Sequence, residues 1–236
     1  MSNAALPRTI PTLDRAFTDW PDRPPVVFLD AVGTLLGVRD SVGAVYREVA
    51  RQFGVETDAQ ILDRAFFQAF AAAPPMAFPG VDPVALPQQE FQWWHTLAIA
   101  TFGQAGYLTQ FRDFDAFFQA LYDHFATAQP WFVYPEVPAT LAQWRSAGMQ
   151  LGVLSNFDSR LLPVLDALGL AEFFTTVTLS TAAGAAKPDP QVFAIALQKH
   201  ACPAAEAVHI GDSYRADYQG AQAAGLQALW LNRQNS

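Results

Sequence analysis

The chain has 236 residues, enough for one large domain or two small ones, and its 51% hydrophobic and 15% charged content commits it to a sizeable core rather than to disorder. A net charge of −8 argues against a general nucleic-acid binder or a membrane-surface binder, because both partners demand basic patches. One cysteine, Cys202, excludes an internal disulfide and argues against a Cys-based metal site, and no run approaches the roughly 20 apolar residues of a membrane span. The opening residues lack the apolar block of a secretory signal, so a cytoplasmic location is expected.

Residues 1–24 carry Pro7, Pro11, Pro21 and Pro24 and predict an extended arm leading into the first strand. Ser2-Asn3-Ala4 has the character of an expression scar and receives no functional weight. Val26-Val27-Phe28-Leu29 predicts a buried strand that delivers Asp30 to its C-terminal edge, with Gly33-Thr34-Leu35 turning directly after it. Residues 39–129 change texture. Val42 to Phe53 places Val42, Val45, Tyr46, Val49 and Phe53 on one helical face, and Ala59–Ala73, Gln88–Phe102 and Phe114–Ala126 follow the same spacing, broken by the proline-rich link from Pro74 to Pro87. The many aromatics of this insert predict a helical bundle core, with a few side chains facing a substrate cleft.

From residue 130 onward short apolar runs alternate with amphipathic stretches. Strands are predicted at Leu151–Leu154, Thr176–Leu179, Ala207–Ile210 and Leu226–Trp230, and helices at Pro138–Ala147, Ser159–Leu168, Pro190–Lys199 and Arg215–Ala224. The alternation predicts an α/β fold with one parallel sheet, assembled from residues 25–38 and 130–236, and a helical domain of residues 39–129 inserted after the first strand and lying over the carboxyl edge of the sheet.

Four chemistry-bearing signals follow in order: Asp30 with Gly33-Thr34, Ser155-Asn156 after the second long strand, Lys187 within Ala186-Lys187-Pro188-Asp189-Pro190, and Gly211-Asp212 with Asp217 after the strand ending at Ile210. Singly, each reads as a turn, a cap or a helix-entry loop. Together they converge, because strand ends of one parallel sheet meet at its carboxyl edge. An Asp carboxylate can act as a nucleophile and form an aspartyl-phosphate, and the anionic oxygens of a phosphoryl group require donors such as a hydroxyl, an amide and an ammonium. Asp30, Asp212 and Asp217 would repel one another without a cation among them, and Mg²⁺ suits such oxygen ligands.

On these motifs the chain resembles the haloacid dehalogenase-like hydrolases from about Val26 to Trp230. The resemblance implies a Rossmann-like core, a helical cap of the C1 type and a small phosphorylated substrate. It implies Asp30 as nucleophile, Thr34, Ser155, Asn156 and Lys187 as phosphate-binding groups, and Lys187 also as the cation that neutralises the nucleophile. It further implies an Mg²⁺ site from Asp30, Asp212 and the Val32 backbone carbonyl, with Asp217 as a supporting carboxylate.

One position departs from that pattern. The phosphatases of this family carry a second Asp where this chain has Val32, and that Asp protonates the leaving alcohol and later activates water. General acid–base catalysis is worth about 10²–10⁴-fold, so alkyl phosphates are expected to be poor substrates and activated leaving groups better ones. Phosphonatase chemistry requires a cap lysine, and the only lysines are Lys187 and Lys199, outside the cap. A 2-haloacid dehalogenase is the enzymatic alternative, since Asp30-Ala31-Val32-Gly33-Thr34 is one residue from the motif of those metal-independent enzymes, but the intact Gly211-Asp212 favours phosphate chemistry. Arg39, Arg47 and Arg51 are expected on a solvated helix face rather than in a halide cradle. A phosphate-ligand-binding or partner-binding protein on a degenerate hydrolase fold is the non-enzymatic alternative.

Overall fold

The computed structural model describes residues 7–18, 20 and 23–233; Ser2-Asn3-Ala4 and part of the N-terminal arm lie outside them. Strands β1 (Thr9–Ile10), β2 (Val26–Leu29), β3 (Leu36–Val38), β4 (Trp131–Val133), β5 (Gln150–Ser155), β6 (Thr176–Leu179), β7 (Ala207–Gly211) and β8 (Gln227–Leu231) form two sheets. The larger is six-stranded in the order β1-β8-β7-β2-β5-β6, and every pairing in it is parallel. β2 is central, with Leu29 level with Val153 on one side and Ile210 on the other. A strand buried on both faces reads as a continuous apolar run, and β2 is buried throughout: Val27 and Leu29 pack on one side, Val26 and Phe28 on the other.

Helices cover both faces. Chain order gives α1 (Val42–Gln52), α2 (Ala59–Ala72), α3 (Leu86–Gln104) and α4 (Phe114–His124) in the insert, then α5 (Val137–Ser146), α6 (Leu161–Ala167), α7 (Ser180–Ala183), α8 (Pro190–Lys199) and α9 (Gly220–Ala223) around the sheet. Leu141 and Trp144 of α5 and Val164 of α6 pack against Leu151 and Val153, while Val192 and Phe193 of α8 and Ala221 of α9 pack against Phe28 and Leu154. Several helices start where the sequence supplies a side-chain cap: Ser41, Asp58, Asp113 and Asp189 each accept a hydrogen bond from a first-turn backbone N–H.

The insert has its own core, built from Tyr46, Val49, Leu62, Phe66, Leu97, Phe102, Phe117 and Leu121. Its two connections to the sheet run side by side as β3 and β4, an antiparallel pair with Leu36 level with Val133 and Val38 level with Trp131. The Arg39 N–H extends this ladder to the Pro130 carbonyl. On the other side of the insert, Glu90 of α3 reaches the core domain, and its Oε1 accepts from the Ser159 N–H (3.1 Å), the Ser159 hydroxyl (2.9 Å) and the Thr181 hydroxyl (2.6 Å). The Trp94 indole donates to Asp158 and the Ser180 hydroxyl to the Met76 carbonyl, so a buried polar seam fixes the insert over the sheet.

Several expectations require correction. The arm of residues 1–24 is not merely extended. Thr9 and Ile10 add an edge strand alongside Trp230 and Leu231, and Leu13 is fully buried in the core, since the proline-free stretch between Pro11 and Pro21 can turn back onto the sheet. The helix expected from Ser159 begins at Leu161, with the Ser159 and Arg160 N–H groups just before it bonded to the Glu90 and Asp158 carboxylates. The helix expected over Arg215–Ala224 opens as a wide π-helical turn, Tyr214–Gln219, before α9; the Ser213 carbonyl accepts from both Asp217 and Tyr218.

Candidate active site

Four segments that are remote in sequence bring five polar side chains to the carboxyl edge of β2, β5 and β7. Asp30 follows β2 directly, and its N–H continues the ladder to the Ile210 carbonyl at 3.0 Å. Ser155 ends β5, Asp212 follows β7, and Asp217 turns in from the π-helical turn. Lys187 enters from the loop before α8. Its ammonium uses all three donors: Asp30 Oδ1 at 2.7 Å, the Leu154 carbonyl at 2.8 Å and Asp217 Oδ1 at 2.5 Å. Asp30, Asp212 and Asp217 offer oxygens that lie within 4.8 Å of one another. Two glycines make this approach possible. A Cβ at Gly33, where φ is +88°, would collide with the Asp212 carboxylate, and one at Gly211 would collide with the Asp217 carboxylate.

Each candidate residue has a definite place. Asp30, Val32, Ser155, Asn156, Lys187, Asp212 and Asp217 all line one cavity of about 550 Å³, roofed by the aromatic side chains of α1 to α4. Asn156 departs from the expected phosphate contact. Its amide is spent on the backbone of Lys187, accepting from the N–H at 2.7 Å and donating to the carbonyl at 2.9 Å, and so fixes the lysine loop. Thr34 departs further. It is fully buried, is absent from the cavity wall, and its hydroxyl has no hydrogen-bond partner among the described residues; its carbonyl accepts from Arg233 instead. Arg39, Arg47 and Arg51 are exposed, and none lines the cavity.

The charges are strongly coupled. Burial pushes the Asp30 carboxyl above the usual carboxylate range; Lys187 opposes the shift and Asp217 adds to it. Asp217 is also buried, but the Lys187 ammonium and a hydrogen bond from His209 outweigh that and hold it well below the usual range. Burial would lower Lys187, yet Asp217 and Asp30 together hold its ammonium above the ordinary value. Asp212 faces the cavity, and the enclosing protein, then Asp30 and Asp217, push it up to about 7. Burial is the largest part of that shift, and the two neighbouring carboxylates add to it more than the single lysine removes. The oxygens of Asp217 are already engaged, Oδ1 by Lys187 and His209 and Oδ2 by the Ser213 N–H, so Asp30 and Asp212 are the acids able to hold a hard cation such as Mg²⁺.

Sequence reading missed His209, fully buried inside β7, whose Nε2 lies 2.8 Å from Asp217 Oδ1. Burial lowers its pKa and its Nδ1 has no partner among the described residues, which fits a neutral ring carrying its proton on Nε2 and donating to Asp217. It missed Arg160, which lines the cavity from the core side while its Nε and Nη2 bind the Asp158 carboxylate at 2.9 and 2.7 Å. It also missed Arg233, which donates to the Gly33 and Thr34 carbonyls behind the Asp30 turn and to Glu136. A histidine in an apolar strand and two scattered arginines have no local pattern that separates them from ordinary core or surface residues.

Comparison with known proteins agrees with this geometry. The family model described as haloacid dehalogenase-like hydrolase matches residues 24–225. Haloacid dehalogenase-like hydrolase domain-containing protein 3 of Bos taurus is 40% identical over 203 residues, covering 85% of this chain and 78% of its own. A phosphoserine phosphatase of Thermus thermophilus is 38% identical over 102 residues, covering 43% of this chain and 41% of its own. Among solved structures, a HAD phosphatase from Thermococcus onnurineus shares the fold with a TM-score of 0.61 at 22% identity, covering 89% of this chain and 87% of its own. The L-2-haloacid dehalogenase from Xanthobacter autotrophicus shares it with a TM-score of 0.65 at 20% identity, covering 90% and 80%. With its parallel sheet, its helical insert and its strand-end acids around a buried lysine, the chain belongs to the haloacid dehalogenase-like hydrolases.

Proposed function

We propose that the protein is an Mg²⁺-dependent hydrolase of small phosphorylated molecules that works through an aspartyl-phosphate on Asp30. The observation that carries this reading is the Lys187 ammonium seated between Asp30 and Asp217, with Asp212 across the cavity. Lys187 orients one Asp30 oxygen and opposes the upward shift that burial imposes on the carboxyl. In the first step an Asp30 oxygen forms a bond to phosphorus while the bond from phosphorus to the ester oxygen breaks, and the alcohol departs with the electron pair. In the second step water attacks that phosphorus, inorganic phosphate leaves, and the Asp30 carboxylate is regenerated.

Ser155 at the end of β5 supplies a hydroxyl donor to a phosphoryl oxygen, and the Lys187 ammonium, its three N–H groups held by Asp30, Leu154 and Asp217, supplies positive charge beside it. His209 and the Ser213 N–H hold Asp217 so that it in turn fixes Lys187. Asp30 and Asp212 would hold Mg²⁺, which supplies charge neutralisation for the incoming phosphate. The side chain of Val32 lines the cavity and has no proton to give, so the departing alcohol takes its proton from solvent.

The test is phosphate release from an aryl phosphate with and without Mg²⁺. Turnover that requires Mg²⁺ and disappears in Asp30→Asn is the expected result. Metal-independent chloride release from 2-chloropropionate would make the protein a dehalogenase instead. Inorganic phosphate binding with no turnover of any ester would make it a binding protein.

A further inference from the structure

Resting on the phosphohydrolase reading, we infer that the substrate is the phosphate monoester of a flat, uncharged aromatic alcohol, recognised through the aromatic roof of the cavity. The cavity of about 550 Å³ falls in the range that encloses whole drug-sized molecules, so the phosphoryl group fills only part of it. Its carboxylates and its lysine lie on the floor, around Asp30. Above them the insert contributes Phe66, Phe70, Trp94, Phe118 and Phe125, with Tyr46 and Tyr122 as its phenols, and no charged side chain.

Among the described residues the cation that lines the cavity near this roof is Arg160, and its charge is already paired with Asp158. Two of its nitrogens bind Asp158, Nη1 donates to the Tyr122 carbonyl at 3.2 Å, and its planar face lies 3.7 Å from the centre of the Tyr122 ring. The Trp94 indole N–H is likewise committed to Asp158. A substrate carboxylate or second phosphate in the upper cavity would meet an arginine already neutralised by Asp158, and the several hydroxyls of a sugar would find the Tyr46 and Tyr122 phenols as their main partners, so desolvation of either is poorly compensated. Aromatic faces remain: Phe66 and Phe70 stack with centroids 5.7 Å apart, and Phe70 tilts against Trp94 at 6.4 Å. Phe67, 61% exposed, and Phe70, 44% exposed, stand at the mouth, where large apolar side chains that contribute little to the insert's own core mark a path for an apolar group.

An independent feature selects the same molecules. With Val32 in place of an acid, the ester oxygen departs unprotonated, and an aromatic alcohol tolerates that far better than an aliphatic one. The roof and the floor thus favour one class of substrate for different physical reasons.

The experiment separates recognition from leaving-group reactivity by using esters whose parent phenols have closely similar acidity: phenyl phosphate, 2-naphthyl phosphate and 4-(carboxymethyl)phenyl phosphate. The expected kcat/KM for the naphthyl ester exceeds that of the carboxymethyl ester by about 10-fold or more, mainly through KM, since burying one unpaired polar group costs at least that factor. Phe70→Arg, at a half-exposed position that tolerates a polar side chain, places a cation at the mouth and is expected to shift the ratio towards the carboxymethyl ester by about 10-fold; thermal melting establishes that the variant is folded. Turnover that is lost in Asp30→Asn but equal for the two esters, or higher for the carboxymethyl ester, overturns the aromatic assignment alone. Absence of Asp30-dependent turnover of all three overturns the phosphohydrolase reading and this inference with it.

Discussion

Lys187→Met is the most informative perturbation of the site. The substitution keeps a four-atom stem and removes the buried ammonium that serves two carboxylates and the Leu154 carbonyl. Removing one partner of a buried ion pair costs about 3–5 kcal/mol, because the opposite charge is left uncompensated. The orphaned carbonyl adds about 1 kcal/mol, for a total of about 4–6 kcal/mol near neutral pH. The loss must depend on pH in a defined direction. In the wild type Asp217 is depressed, so its contribution is complete above the ordinary carboxylate range and is lost only as the pH falls through its own lower value. Lys187 is raised, so its contribution is complete at all pH values below the ordinary lysine range. Between about pH 7.5 and about pH 5 neither changes. In the variant, Asp30 and Asp217 face each other without the ammonium, their shared pKa rises above that of the unfolded chain, and a proton taken up on folding replaces the missing cation. Each pH unit below that shared value recovers up to about 1.4 kcal/mol. Guanidinium denaturation in EDTA, at about pH 7.5 and about pH 5, should show the gap between wild type and variant narrowing at the lower pH. Adding Asp217→Asn to Lys187→Met should restore part of the loss at the higher pH. A gap of the same size at both pH values, unaffected by Asp217→Asn, would refute the claim that repulsion between these acids carries the cost.

Asp212→Asn removes one of three crowded negative charges; calorimetry should show weakened Mg²⁺ binding, while the melting temperature in EDTA at mildly alkaline pH rises. Val32→Asp restores an acid beside the ester oxygen, and the ratio of alkyl to aryl phosphate turnover should rise, by at most about 10²–10⁴-fold. Glu90→Ala removes the acceptor that joins α3 to Ser159 and Thr181, and chemical denaturation should show a loss of about 2–4 kcal/mol, with faster proteolytic cleavage between α2 and α3.

The site was legible wherever its signal was local. Asp30, Ser155 and Asp212 each sit where an apolar run stops, and a parallel sheet forces such stops to one edge, so their convergence follows from the strands alone. Lys187 was legible from its neighbours, since Pro188-Asp189-Pro190 fixes a helix start just behind it. The side chains of Thr34 and Asn156 were not legible, for one reason. Proximity in sequence to a strand end says which residues are near the site, but not whether a side chain faces the cavity or is consumed by the backbone beside it. His209 was hidden because alternation inside a doubly buried strand carries no sign of which side chain touches a carboxylate of a neighbouring turn. The antiparallel β3 and β4 were unreadable because three-residue strands show too little periodicity, and β1 less still. Glu90 acts through Ser159 and Thr181, more than sixty positions away, and Arg160 reaches the insert through the Tyr122 carbonyl, contacts that no local window can contain.

The paired connections between sheet and insert have a consequence for how the molecule can be rebuilt. The chain leaves the core along β3 and returns along β4 on the adjacent track, and the bond between Arg39 and Pro130 already closes the ladder at the point of departure. Antiparallel strands this close are the natural flanks of a tight hairpin turn. Residues 40–129 can therefore be exchanged for a two-residue turn without altering the order of any strand in the sheet that carries Asp30, Lys187 and Asp212. Both ends of the insert thus meet at one hairpin, so a single junction bounds it in the chain, while the seam through Glu90 and Asp158 ties it to the core a second time.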